Sequence, residues 1–173
     1  ELAWPISLSF LGGMSMQLVD AYFIGKLGPA AMAAVSLGNA IFAVHMIMGI
    51  GVTSSLDYLV SKDFGAKNIE RCHHWLFQGL WIGLAYGVFF AILMQFGSVV
   101  FSAFGIEKND ADHAMSYLTI MGWSLIPYMA VTVLRQYLQA FGVVKPVAFI
   151  LVAANILNAL ANWVLVFGRF GFP

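Results

Sequence analysis

The stretch ELAWPISLSFLGGMSMQLVDAYFIGKLG (1–28) decides the class of fold. Between Glu1 and Lys26 it holds one ionisable carboxylate or amine, Asp20, in a run otherwise compatible with hydrocarbon. The rest of the chain has the same character, with 61% hydrophobic and only 9% charged residues. Soluble domains carry roughly 45–50% apolar and about 25% charged residues. The chain therefore lacks the polar surface that a water-soluble domain needs, and reads as an integral membrane protein. Eight Lys+Arg balance eight Asp+Glu, so no basic field recruits nucleic acid. Cys72 stands alone, which excludes an internal disulfide and a cysteine-based metal cluster.

Charge-free runs extend over 2–19, 27–56, 75–106, 114–134 and 146–168. Each meets or nearly meets the roughly 20 apolar residues that a helix needs to cross a bilayer. Their continuity favours helices over barrel strands, which would alternate in segments of about ten residues. The expected fold is all-α, with five transmembrane helices near 3–25, 31–61, 74–103, 114–140 and 147–167. Short turn-like loops join them at GKLGPA (25–30), GIEKNDADH (105–113) and GVVKP (142–146). The connection SKDFGAKNIERCHH (61–74) is longer, with room for a helical turn along the interface. Lys62, Lys67, Arg71 and Lys145 fall on one side, with Arg135 expected to snorkel toward them; Lys26, Lys108 and Arg169 fall on the other. The excess of positive charge predicts a cytoplasmic N-terminus in a cell membrane, by expectation the bacterial inner membrane. The first run is no cleaved signal peptide, since it opens with an acid and is longer than the 7–15-residue core such peptides use. A start at Glu1 instead of Met, and an end at Pro173 just after a fifth span, suggest a piece of something larger.

A charged side chain at mid-bilayer costs about 2.5–3.5 kcal/mol on insertion scales, so it normally faces protein or water and has partners. Asp20 follows Met16 and Gln17 by one turn, with Gly12 and Gly13 further back, where small residues permit close helix packing. Its proximity to Lys26 also allows a plain interfacial acid. In VAFILVAANILNALANWVLVFG (147–168), Asn155, Asn158 and Asn162 recur at i, i+3, i+7 and so share one helical stripe. One such carboxamide would be glue between helices; three suggest the wall of a polar cavity. A carboxylate with carboxamide oxygens suits a small hard cation. Equally, a low-dielectric surrounding favours the neutral form of a carboxyl group and so suits proton uptake. Either event changes local charge by one unit and can bias a two-state equilibrium.

Other polar positions carry weaker signals. Asp57, near the end of the second span, is expected to pair with Lys62 or another loop cation. His45 can titrate, but the simpler expectation is a packing histidine. His73 and His74 are adjacent and cannot share one helical face, so no metal site is expected there. Pro127 frees a backbone carbonyl and predicts a kink in the fourth span. Met14, Met16, Met46 and Met48 could line an adaptable apolar cavity. No nucleophile–base pair or metal-ligand spacing points to an enzyme.

The residues themselves resemble a family. LAWPISLSFLGGMSMQLVDAYFIGKLGPAAMAAVSLGNAIF (2–42) is similar to the first two helices of the multidrug and toxic compound extrusion (MATE) transporters. SKDFGAKN (61–68), LRQYLQAFGVVKP (134–146) and NALANWVLVFGRFGFP (158–173) continue the likeness. The resemblance implies twelve helices in two six-helix lobes, of which this chain would supply helices 1–5 of the N-terminal lobe. Helix 6 and the C-terminal lobe would then lie elsewhere in the same protein. It implies exchange of external Na+ or H+ for organic, often cationic, lipophilic drugs by alternating access, with no cofactor beyond the coupling ion. The family's helix 1 acid falls on Asp20 and its helix 5 amide pair on Asn158 and Asn162; Gln17, Met16 and Asn155 become candidates for the cavity wall. An amide at Asn162, where one branch has an acid, implies the branch named for norfloxacin export. Two alternatives stay open. A lipid-linked oligosaccharide flippase of the same superfamily would want a basic cavity, for which only Arg135 and Lys145 qualify. A membrane scaffold subunit without transport activity would need no coupling site.

Overall fold

The computed structural model describes residues 3–105, 108–143 and 145–166, and among them helices are the only regular structure. Seven helices follow in order: α1 (Ala3–Gly25), α2 (Pro29–Thr53), α3 (Ser55–Gly65), α4 (Ile69–Met94), α5 (Gly97–Ala103), α6 (Lys108–Ala140) and α7 (Lys145–Val166). Four stretches are long and apolar enough to cross a membrane: Ala31–Gly65, Ile69–Met94, Ala111–Ala140 and Lys145–Val166. α1, at 23 residues, also has the length of a span. The protein is an all-α, multi-pass membrane protein. Arg169, expected to mark one side of the bilayer, lies outside the described residues, as do Glu1 and residue 167 at the end of the fifth expected helix.

Helices outrun the charge-free runs, and the difference has a physical cause. Lys62, Asp63, Glu70, Arg71, Lys108 and Asp112 all sit inside helices, because charged side chains leave hydrocarbon without leaving helical geometry. The expected 61–74 connection shrinks to Ala66–Asn68. Lys67 takes a left-handed φ of 59°, and Asn68 Oδ1 accepts the Arg71 N–H at 3.1 Å to cap α4. The expected 31–61 helix is interrupted at Ser54, whose N–H and hydroxyl both turn back to the Gly51 carbonyl. The expected 74–103 helix divides at Gln95–Phe96 into α4 and the short α5. α6 starts six residues earlier than the predicted 114 and stays helical through Pro127, whose ring withholds an N–H from the Trp123 carbonyl.

The chain forms two compact units. The first joins residues 1–32 and 142–173 and is built on α1 against α7. Gly12 meets Asn155 and Asp20 meets Asn162, so the two helices run parallel. The turns that bound these helices use Gly28 (φ 105°) and Gly142 (φ 74°), conformations that side chains with a Cβ rarely adopt.

The second unit, 33–141, packs α4 and α6 together, with α3 and α5 against them. One core gathers Met94, Phe101, Leu118, Leu125 and Met129; another joins Leu56, Val60, Cys72 and Val133. Gly79, Gly83 and Gly87 lie one turn apart on α4 and are all buried. A Cβ on Gly87 would fall 3.0 Å from the Ile126 Cα and 3.3 Å from the Leu125 carbonyl. This small-xxx-small pattern brings the two backbones close, the usual packing device where lipid supplies no hydrophobic drive.

Candidate functional site

Asp20 is carried by α1 five residues before its C-terminal end, and Asn158 and Asn162 by α7 one turn apart. All three are half-buried. The Asn162 side-chain amide donates to Asp20 Oδ1 at 2.6 Å and to Asn158 Oδ1 at 3.3 Å. One N–H2 group thus occupies the point where a carboxylate and a carboxamide oxygen converge. Both oxygens that meet this N–H2 group act as acceptors; turned the other way, the Asn162 oxygen would face them.

The other expected cavity residues are placed apart. Asn155 donates to the Leu151 carbonyl of its own helix at 2.8 Å, and its amide nitrogen would lie 3.3 Å from a Cβ on Gly12. It packs the α1–α7 contact and stays outside the Asp20 cluster. Met16 is half-buried, whereas Gln17 is exposed and makes no hydrogen bond among the described residues. Met14 and Met48 are exposed and Met46 is half-buried.

The expected pairing of Asp57 is corrected. Asp57 is exposed in the first turn of α3 and makes no ion pair among the described residues. The acid that takes partners is Asp63, 7% exposed. It accepts the Trp75 indole N–H at 2.7 Å and lies 3.6 Å from the Arg71 guanidinium. Six residues of helix turn Asp57 away from the face that meets α4. Two further polar contacts and one packing face went unread in the sequence. Tyr117 donates its hydroxyl to Asn39 Oδ1 at 2.9 Å, and Gly38 makes room for that ring. Buried Gln136 donates to Thr53 Oγ1 at 3.2 Å beside the interruption at Ser54. The α4 glycines were visible as GLWIGLAYG (79–87), a repeat of four that announces a packing face.

A polar cluster clasped between two membrane-length helices defines a class: a multi-pass helical membrane protein with a carboxylate–carboxamide cluster in its first unit. The MatE family model matches residues 5–164, and the chain belongs to that family. It is 30% identical over 177 residues to a probable multidrug resistance protein NorM of Mesorhizobium japonicum, covering 99% of this chain and 37% of that protein. A protein of the same name from Rhodopseudomonas palustris is 33% identical over 172 residues, covering 99% and 36%. The chain thus spans under two fifths of the curated relatives it matches. A solved structure of a MOP superfamily transporter from Pyrococcus furiosus superposes with a TM-score of 0.82 over 98% of this chain and 38% of that one, at 20% identity. That likeness concerns the fold alone.

Proposed function

We propose that this chain is part of the N-terminal lobe of a secondary active multidrug exporter. It exchanges Na+ or H+ for organic, often cationic, drugs by alternating access, with the rest of the same protein as its second lobe. The observation that carries the reading is the Asn162 amide held between Asp20 and Asn158. The names of the curated relatives, probable multidrug resistance proteins, support the substrate class.

The geometry suggests how an ion would act. Without a coupling ion, the Asn162 N–H2 neutralises part of the Asp20 charge. A proton on Asp20 turns an acceptor into a donor, and the amide must then present its oxygen. A Na+ entering the same point displaces the N–H2 and makes the same demand, since Asp20, Asn158 and Asn162 then all supply oxygen. Either ion therefore reverses the Asn162 carboxamide and replaces the N–H2-mediated contact between α1 and α7 with one made through the Asn162 oxygen. Helix 1 then prefers a different setting, which is how a binding event becomes a population shift. The reading puts the N-terminus in the cytoplasm of a bacterial cell, with Lys62, Lys67 and Arg71 on the same side.

The test uses the full-length transporter in everted membrane vesicles, following a cationic dye under imposed Na+ and pH gradients. Asp20→Asn is expected to abolish the gradient dependence and cut coupled efflux by roughly 5–150-fold, the range that coupling free energies cover. Normal ion-driven efflux by that variant would remove Asp20 from the coupling mechanism.

A further inference from the structure

We infer that Arg135 and Gln139, one turn apart near the end of α6, form a binding site for the phosphate of an anionic phospholipid. Both side chains are half-buried and share one helical stripe. Neither makes a hydrogen bond or an ion pair among the described residues. The Arg135 Nε is closed off from solvent without an acceptor. The next side chain shows the contrast: Gln136 is buried and donates to Thr53 Oγ1 at 3.2 Å. A guanidinium keeps its charge in proteins and carries five N–H donors in a planar fork. This one stands inside the membrane-length stretch Ala111–Ala140. It is five residues from the end of that stretch, about 7.5 Å along the axis. From such a depth a long basic side chain reaches the headgroup level.

The acids of this unit do not answer that charge. α6 carries no Asp or Glu after Asp112, near its other end. α3 lies against α6 and brings two acids, but Asp63 is taken by Trp75 and Arg71. Asp57, and Glu70 at the start of α4, are exposed and make no ion pair among the described residues. Water satisfies N–H groups, yet only an anion offsets the charge as well. The flanks of the pair then select among anions. Val131, Leu134 and Leu138 beside Arg135 are exposed, while Thr132 one turn back is buried. Arg135 thus stands where the packed face of α6 borders an apolar face suited to acyl chains. A phospholipid brings both parts in one molecule: phosphate oxygens for the guanidinium fork and the Gln139 N–H2, and chains for the apolar face. A zwitterionic headgroup would add an ammonium, for which this end of α6 has no carboxylate. An anionic headgroup adds none, and basic sites among membrane helices take such headgroups.

The site is read by binding and not by transport, so it stands or falls apart from the exporter reading. Full-length protein purified in a neutral detergent is titrated with phosphatidylglycerol or phosphatidylcholine, and native mass spectrometry counts the bound lipid. The unmodified protein is expected to hold phosphatidylglycerol more tightly than phosphatidylcholine, and to keep it when inorganic phosphate is added at equal concentration. Arg135→Gln should weaken phosphatidylglycerol binding about fivefold, the weight of one cation at the membrane surface. Arg135→Lys should weaken it less, since the charge stays and the fork is lost. Gln139→Leu should act in the same direction, while Lys67→Gln, exposed on the turn before α4, should leave binding unchanged. Should Arg135→Gln not fold, Arg135→Lys and Gln139→Leu decide by the same readout. Undiminished binding in the Arg135 and Gln139 variants, or an equal loss in Lys67→Gln, overturns the site. Equal affinity for phosphatidylcholine overturns the anionic headgroup, and displacement by inorganic phosphate overturns the lipid in favour of a soluble anion.

Discussion

Asn155 and Asn162 are the same residue two turns apart on one apolar helix, and their surroundings give them different work. Asn155 is closed onto its own backbone at Leu151, while Asn162 reaches Asp20 and Asn158. Asn162→Leu should therefore impair ion dependence of efflux, whereas Asn155→Leu should leave it and cost only packing at Gly12; dye efflux with and without an Na+ gradient separates the two. At Asp63 the expectation is structural. Asp63→Ala leaves the Trp75 indole N–H without its acceptor, a loss of about 1–3 kcal/mol, read as a lower unfolding midpoint in detergent. Asp20 was legible in sequence because a lone carboxylate in an apolar run is costly and conspicuous. Spacing alone did not rank the Asn stripe, since it places three residues on one face; the family resemblance put Asn158 and Asn162 ahead of Asn155. Asp63 was hidden for a related reason: in a loop rich in charge, nothing local distinguishes the buried acid from exposed Asp57.

At the scale of elements, hydropathy reports where hydrocarbon ends and says less about where a helix ends. That is why the five apolar runs were legible while the charged first turns of α4 and α6 were read as loop. The interruption at Ser54 escaped because it depends on Thr53 and Ser54 hydroxyls turning back to backbone carbonyls within an apolar run. The α4–α6 contact makes a sharp expectation. Gly87 faces the backbone of Ile126 and Leu125, which cannot step aside as a side-chain tip can. Gly87→Ala should destabilise the protein by about 1–3 kcal/mol, and Gly87→Leu by more. Gly13 has open space around its Cβ position, so Gly13→Ala should be tolerated far better; thermal unfolding in one detergent compares them.

For the whole molecule, membership of the MatE family agrees with a chain of spans with little polar surface. The chain spans 37% of the length of one curated relative, and what the rest of such a protein adds is beyond the reach of any pattern within these residues. In an exchanger, ion and drug binding must influence each other equally, since coupling between two sites is reciprocal. The most direct measurement is equilibrium binding of a cationic dye to the purified full-length protein, titrated with Na+ and with pH. The account predicts that the coupling ion weakens dye affinity by roughly 5–150-fold in the unmodified protein, and that Asp20→Asn abolishes the shift. An undiminished ion-dependent shift in the Asp20→Asn protein would contradict it.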